Sequence, residues 1–417
     1  MKGTHVKHRI ARPLRPLIAA SLLALLTAAA LGACGSDDDG SAASKGKDPI
    51  KVALIPPLSG ALGVFGKDTV TAWRFAADEV NAKGGVDGRK VELVTYETDG
   101  SPATTLRMAR KAVTQDGARF IGAVMTGPEN SALQKQLPAL NALSFNGTAN
   151  DDVLHAAECS PNAFRAVQSA QMDMNGIIET LAKLPGERWA IQAVDYSIGH
   201  SSADAFKAAA QKAGKQVVLT QFAPLGTTEF GSYITKLENS GADALFSVTF
   251  GADAVAFINQ GAQFKVFDDL KTVLGFNQVS EPLFPALGSK IEGFYNQVNY
   301  DVGAGNPQNR AFVDAWTMTH GEAPYYVPAD TYLAAQMLFK GIERAGSTDP
   351  KKVKEALSGL SFDSIAGKVT VRAEDNQLMR SSYVGQVVRK GDGLGWKIIA
   401  ETPSTVTAPS PDPACKL

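Results

Sequence analysis

The chain has few of the residues on which metal and redox sites depend. It contains three cysteines and five histidines among 417 residues. No histidine stands at metal-ligand spacing from a second histidine or a cysteine. A glycine-rich phosphate loop is also missing, and the run Gly391–Gly395 is too short and too late in the chain for a dinucleotide fingerprint. We therefore predict neither a metal nor a cofactor.

A catalytic constellation is missing as well. The stretch Gly199–Ala203 resembles a nucleophile elbow, but the last glycine of that motif is replaced by alanine. The same residues are suited to begin a helix. Since no other arrangement of nucleophile and base is evident, we predict that the protein is not an enzyme.

Neither sign of charge is in excess, with 41 basic against 42 acidic residues. No basic patch with interleaved aromatic residues occurs, so nucleic acid is not expected as a partner. Beyond the first residues, no hydrophobic run approaches the length of a membrane span. The length allows about two or three domains.

The N-terminal segment has the composition of an export signal. Met1–Arg15 carries five basic residues and no acid, and Leu17–Leu31 is apolar apart from a serine and a threonine. The small residues before Cys34 and the polar stretch after it resemble the lipobox of bacterial lipoproteins. This resemblance implies a signal peptide over residues 1–33, lipid on Cys34, a tether over 34–47, and anchoring to the outer face of the cytoplasmic membrane. The alternative is a plain secretory signal with an incidental cysteine.

Cleavage before Cys34 would leave 36 basic and 42 acidic residues, because the five lost charges are all basic. If Cys34 is lipidated, Cys159 and Cys415 remain as an even pair in an oxidising compartment. We predict a disulfide between them that pins the C-terminal tail, and the alternative is two separate thiols.

Strand and helix patterns alternate along the chain in two successive units. Short apolar runs bounded by Gly, Pro and Asn are typical of strands buried on both faces of a parallel sheet. The helices between them carry apolar stripes at helical spacing. The pattern predicts an α/β fold with mostly parallel sheets flanked by helices. The predicted strands are Ile50–Ile55, Val91–Tyr96, Phe120–Thr126, Leu143–Phe145, Trp189–Val194, Gln216–Phe222, Ala244–Thr249, Thr272–Gly275 and Val369–Val371, followed by a hairpin of Tyr383–Arg389 and Trp396–Ala400.

Two hydroxyl-bearing loops follow neighbouring strands of the first unit. Thr126 ends one strand and Thr148 follows the next. The carboxyl ends of parallel strands share one edge of a sheet, where ligands bind. A helix after Gly127 would also point free N–H groups into this crevice, which favours an anion. We therefore expect a carboxylate-bearing small molecule here; the alternative is that both threonines are loop or cap residues that bind nothing.

Several stretches together resemble the periplasmic leucine/isoleucine/valine-binding proteins, the type I solute-binding proteins of ABC importers. The resemblance covers nearly all of residues 50–401. The stretches that carry it are Pro57–Gly60 with Phe65-Gly66, Asn81–Val86 with Gly88, Asp99–Pro102, Tyr332, Gly346–Asp349, Phe362 with Gly367–Val369, Arg380 and Tyr383–Val387.

The resemblance implies two lobes that close on a ligand by a hinge with three crossovers, near Ala166, Asn299 and Arg372. Lobe one would comprise residues 48–165 plus 300–372, and lobe two 166–299 plus 373–417. It implies a monomer that delivers a small carboxylate to the permease of an ABC importer. The alternative is a sensor of the same fold that signals through a partner receptor.

The resemblance also assigns residues to the ligand site. Phe65 would cover the ligand, Phe250 would form an aromatic wall, and Asn277 stands where the family has the acid that binds the ligand's ammonium. The remaining positions are Thr126, Gly127, Thr148 and Ala149 for the carboxylate, and Tyr196 and Ile198 in place of the family's Asp-x-x-Tyr-Gly motif.

The asparagine at position 277 changes the expected ligand. Its amide supplies no charge, and burying an ammonium without a counter-ion costs several kcal/mol. We therefore predict a carboxylate ligand that lacks an α-amino group and has an aromatic or branched apolar body. The alternative is that Glu281, Asp253 or Asp330 reaches the site and restores amino-acid binding.

The lipid anchor can be tested by replacing its attachment residue. Cys34→Ser should release the protein into the medium, because the acyl chains of a lipoprotein hold it at the membrane. Immunoblotting of membrane and medium fractions measures this, with Ser41→Ala in the same polar stretch as the control. Continued membrane retention of the serine variant would contradict a lipid anchor at Cys34.

Overall fold

The computed structural model describes residues 47–195 and 197–417. The predicted leader, the lipidation site Cys34 and the predicted site residue Tyr196 lie outside the described residues. Within the described part of the chain, no helix has the length and apolarity needed to cross a membrane.

The first sheet has five parallel strands in the order β2-β1-β3-β4-β5. The prediction of a parallel sheet in this unit is confirmed, although β3 is shorter than predicted. It ends at Gly122 because Ala123 adopts a left-handed backbone conformation, with φ 61°. The strands are β1 Ile50–Leu54, β2 Val91–Thr95, β3 Phe120–Gly122, β4 Leu143–Asn146 and β5 Ala163–Arg165.

The second sheet has seven strands in the order β15-β14-β10-β9-β8-β6-β7. Five of them are parallel, and β14 pairs antiparallel with both β10 and β15. The predicted hairpin is β14 and β15. The strands are β6 Arg188–Val194, β7 Gln216–Ala223, β8 Ala244–Val248, β9 Thr272–Gly275, β10 Tyr295–Val298, β14 Ser382–Lys390 and β15 Gly393–Thr402.

A third, antiparallel sheet of three strands belongs with the first lobe: β11 Ser361–Ser364, β12 Gly367–Val371 and β13 Leu378–Met379. Helices cover the sheets. Their bounds are α1 Gly63–Ala82, α2 Pro102–Thr114, α3 Gly127–Gln134, α4 Leu137–Leu140, α5 Ala170–Leu181, α6 Ser197–Lys212, α7 Gly231–Glu238, α8 Gly251–Gln263, α9 Phe284–Leu287, α10 Pro307–His320, α11 Tyr326–Ala345, α12 Pro350–Leu357 and α13 Ser404–Thr407.

Each large sheet has its own apolar core, which defines two lobes. In lobe one, Trp73 of α1 and Leu333 of α11 pack with the strands of the first sheet. In lobe two, Trp189 and Phe246 pack on one face of the second sheet, while Phe257 and Trp396 pack on the other. The two-lobed α/β architecture predicted from the sequence is therefore confirmed.

The chain passes between the lobes after β5, after β10 and after β13. The first two passages lie close to Ala166 and Asn299, where they were expected. The expected third passage at Arg372 is wrong, because β13 pairs with β12 and Leu378 is buried in the core of lobe one. The third passage is therefore at residues 380–381. The cause is a tight turn after β12 that includes Asn376, with φ 59°, and returns the chain to lobe one.

Buried polar contacts join these passages. Arg165 Nε donates to Gln377 Oε1 at 2.5 Å, and Gln168 Nε2 donates to Ser382 Oγ at 2.5 Å. The pair of Arg380 and Asp330 is 2 % and 1 % exposed, with Nη1 and Oδ1 2.6 Å apart. Burial raises the pKa of Asp330 to about 6, although the Arg380 guanidinium opposes this shift.

The C-terminal tail returns from lobe two to lobe one. After β15 it forms α13, which packs on α5, and it then reaches Cys159 at the start of the loop before β5. The structure joins Cys159 and Cys415 in a disulfide, with Cα atoms 5.4 Å apart. The last residues were expected to belong to lobe two alone, but they contact both lobes.

The buried ion pair at the third passage can be tested by unfolding. Arg380→Met should lower the free energy of unfolding by about 3–5 kcal/mol, because it leaves the Asp330 carboxyl group buried without its cation. Denaturant unfolding at pH 7 measures the loss, and the double variant Arg380→Met with Asp330→Leu should recover most of it.

The matched control is an ion pair on the surface. Arg389 and Glu292 are 57 % and 41 % exposed, so Arg389→Met should cost less than about 1 kcal/mol. Equal losses for Arg380→Met and Arg389→Met would contradict a special role for the buried pair.

Candidate functional site

Thr126 begins helix α3 by a capping box. Its hydroxyl and its backbone N–H both bond Glu129 Oε2, at 2.8 and 3.1 Å, and its hydroxyl oxygen accepts from Glu129 N–H. Glu129 is fully buried and also accepts from Thr98 and Thr105 hydroxyls. The capping box is the reason that α3 begins at Gly127.

The groups of the second predicted loop are also bonded within the protein. The N–H groups of Thr148 and Ala149 both donate to Asn146 Oδ1, at 2.9 and 2.8 Å. The Thr148 hydroxyl donates to the carbonyl oxygens of Val124 and Met125. This bond brings the loops after β3 and β4 together, as the sequence indicated. In this conformation, however, the backbone N–H groups expected to bind a carboxylate are hydrogen-bonded to Asn146 within the same loop.

A carboxyl group of the protein lies beside the N-terminus of α3. A Cβ on Gly127 would come within 2.4 Å of Asp151 Cγ, so a larger residue here would require the Asp151 side chain to move. The capping box uses the Glu129 N–H, and Pro128 has no N–H. The Gly127 N–H is therefore the donor of the first turn that remains for an anion.

Asn277 lies in the loop after β9, where it adopts a left-handed backbone conformation with φ 51°. Its Oδ1 accepts from Asn299 Nδ2 at 3.3 Å, which ties it to the loop after β10. Both residues therefore lie at the carboxyl edge of the second sheet. Asn299 was predicted only as a hinge position, and its side chain adds a second amide beside Asn277.

A cavity of about 20 Å³ lies at this edge, between the lobes. Asn277, Asn299 and Glu281 line it from lobe two, and Tyr326 lines it from the first turn of α11 in lobe one. This volume suffices for a group of about the size of one water molecule. Polar side chains of both lobes therefore line this small cavity.

Glu281 is the acid of this cavity. Its Oε1 accepts from Trp396 Nε1 at 3.0 Å, and no ion pair joins it to a basic side chain among the described residues. Burial raises its pKa to about 7, because no cation compensates the lost hydration and the Trp396 hydrogen bond opposes the shift only in part. A ligand ammonium could supply that missing charge.

The two other acids considered for this role are bound elsewhere. Asp253 Oδ2 accepts from the Gly226 N–H at 2.8 Å, and Asp330 forms the buried pair with Arg380. Of the three acids that the sequence analysis considered as ammonium-binding groups, only Glu281 lines the cavity beside Asn277.

The predicted apolar residues occupy separate elements. Phe65 is half-buried in the first turn of α1, after the loop that follows β1. Ile198 in α6 and Phe250 at the N-cap of α8 are half-buried against the core of lobe two. All three follow the carboxyl end of a strand, which is consistent with positions at the cleft.

Tyr326 is the contact that the sequence reasoning missed. It lies 49 residues beyond Asn277, the last residue that the resemblance assigned to the ligand site, and shares no motif with it. The adjacent tyrosines at 325 and 326 just before an apolar helix were the available signal, but nothing local indicates that this helix begins against the other lobe.

Two lobes with a polar cavity between the carboxyl edges of their sheets define a class of protein, the two-lobed solute-binding proteins. The family model described as periplasmic binding protein matches residues 49–392. The chain belongs to this family and is similar to its leucine/isoleucine/valine-binding members. Membership implies an exported protein.

Individual relatives agree with this assignment. Leu/Ile/Val-binding protein homolog 7 of Brucella melitensis is 25% identical over 362 residues, which cover 82% of this chain and 90% of the relative. Among solved structures, an amino acid ABC transporter substrate-binding protein from Pseudomonas fluorescens Pf-5 has a TM-score of 0.80 at 22% identity, covering 89% of this chain and all of that one (100%).

A solute-binding protein of an ABC transporter from R. palustris, in complex with 4-hydroxybenzoate, has a TM-score of 0.77 at 22% identity. It covers 86% of this chain and 97% of that one. At these identities the structural likeness shows the fold alone. The family and these neighbours are binding proteins, not enzymes.

The environment of Glu281 predicts a pH dependence of stability. Its pKa is raised from 4.5 to about 7 in the folded protein, so folding favours the protonated acid. The free energy of unfolding should therefore fall as pH rises from 4.5 to 7, by up to about 3 kcal/mol. Glu281→Gln should remove this part of the pH dependence.

Urea unfolding at several pH values measures the effect without any ligand. Glu238→Gln, which changes an exposed carboxylate in α7, is the control and should follow the parent at every pH. Parallel pH profiles for Glu281→Gln and the parent would contradict the desolvated state of Glu281.

Proposed function

We propose that this protein captures a small carboxylate, with amino acids favoured over amine-free organic acids, between its two lobes and delivers it to an ABC importer. The observation that carries the proposal is the cavity in which Asn277 and Glu281 of lobe two meet Tyr326 of lobe one. A ligand in contact with both lobes can shift the balance between open and closed forms, whereas a ligand in contact with one lobe cannot.

Glu281 is the reason for favouring amino acids. Asn277 by itself predicts an amine-free ligand, because its amide cannot neutralise an ammonium. Glu281 lines the same cavity and has no basic partner among the described side chains. An ammonium beside Glu281 would stabilise the ionised acid. The attraction of the acid would in turn offset the free-energy cost of removing water from the ammonium.

The carboxylate end of the ligand is assigned to the N-terminus of α3. The Gly127 N–H and the helix dipole favour an anion there. The hydroxyls of Thr126 and Thr148 would have to turn from their internal acceptors to the ligand. Glu129 and Asp151 lie close by, so the ligand carboxylate competes with carboxyl groups of the protein itself.

The apolar body of the ligand is assigned to Phe65 and Phe250, which are both half-buried at strand ends of opposite lobes. The solved neighbours support ligands of this size, since one is an amino acid transporter component and another holds 4-hydroxybenzoate. We also propose that lipid on Cys34 keeps the protein near the permease, as a monomer.

Thermal unfolding with a panel of ligands tests the proposal. Leucine, valine and phenylalanine should raise the melting temperature more than their amine-free acid analogues do. A ligand at 100 times its Kd adds about 2.7 kcal/mol of stability, which such a measurement detects. Leucinamide, which lacks the carboxylate, should have little effect.

Glu281→Gln is the matched variant. It should abolish the advantage of the amino acids over their analogues and leave the response to the analogues unchanged. Stronger stabilisation of the parent by the amine-free analogues would contradict the role of Glu281. It would support the amine-free ligand that Asn277 by itself predicts. Equal stabilisation by leucine and leucinamide would contradict a carboxylate ligand.

A further inference from the structure

The C-terminal tail connects the two lobes outside the three chain passages. We define the strap as residues 403–415, which follow β15 of lobe two and end at the disulfide with Cys159 of lobe one. The sequence places these cysteines 256 residues apart. The ligand site uses none of these residues.

The strap is fixed to lobe two through Thr407. This residue is fully buried, and its carbonyl oxygen accepts from Asn175 Nδ2 of α5 at 2.6 Å. Gly176 of α5 lies under the contact, and a Cβ there would be 2.8 Å from Ser382 Cβ and 3.9 Å from Thr407 Cγ2. The missing side chain therefore lets Ser382, the first residue of β14, pack closely on α5 beside the strap.

The strap is fixed to lobe one through Pro409 and Cys415. The Pro409 carbonyl oxygen accepts from Arg372 Nη1 at 2.6 Å. Arg372 follows β12 and is itself held by Asp375, with Nε and Oδ1 2.9 Å apart. The disulfide then makes the attachment covalent six residues further on.

The two attachments leave almost no slack. Only Ala408 lies between Thr407 and Pro409, and two extended residues span at most about 7 Å. Rotation of the lobes that separates α5 from the turn after β12 must therefore break one of the two carbonyl contacts. The disulfide holds the broken end nearby at a high effective concentration, so that the contact forms again readily.

We propose that the disulfide-closed strap limits how far the two lobes open. The inference depends on the lobes moving about the hinge but not on the identity of the ligand. The strap reduces the range of open forms in the ligand-free protein, and less rearrangement then remains when a ligand binds.

The distance between the cleft rims tests this. Spin labels at Val64→Cys and Leu225→Cys report on opposite lobes, and both native side chains are about two-thirds exposed, at 66% and 67%. The full chain with Cys34→Ser serves as the parent. In the ligand-free protein, Cys159→Ser with Cys415→Ser should broaden the distance distribution and lengthen its mean by several ångströms.

A second variant keeps the disulfide and lengthens the strap. Insertion of Gly-Ser-Gly-Ser after Ala408 should produce the same broadening, and it remains informative if the double serine variant does not fold. Lys416→Ala, next to Cys415, is the control and should leave the distribution unchanged. Distributions in both strap variants that match the parent would overturn the proposal, whether or not the protein binds amino acids.

Discussion

The connection between the lobes is the constraint on which this structure depends. The chain crosses between the lobes three times. Buried polar side chains hold these passages in place. The buried pair of Arg380 and Asp330 fixes the third passage to α11, while Arg165 and Gln377 join the first passage to the third. Because breaking such a buried pair is costly, these contacts stabilise the chain where it passes between the lobes.

The side chains that line the cavity come from both lobes. The carboxyl ends of β9 and β10 present amides, and the first turn of α11 presents Tyr326 from the other lobe. Glu281 is the only acid that lines this cavity in the described part of the chain. Glu281 is half-buried and has no ion-pair partner among the described residues, and its lost hydration raises its pKa to about 7.

The loops after β3 and β4 of lobe one are organised by internal hydrogen bonds. Thr126 and Glu129 cap α3, and Asn146 holds the N–H groups of Thr148 and Ala149. These bonds make the loops rigid, which is favourable for recognition because less order has to be created on binding.

Features that depend on residues close together in the chain could be predicted from the sequence. The hairpin of β14 and β15 and the strand–helix alternation that forms parallel sheets in two lobes are of this kind. The family resemblance added the site positions, which remain proposals. The folded structure was needed to show that β13 returns to lobe one, that Glu281 rather than Asp253 or Asp330 lines the cavity, and that the tail bridges both lobes. These outcomes depend on contacts between residues far apart in the chain, and no local propensity or spacing encodes which distant surfaces will pack together.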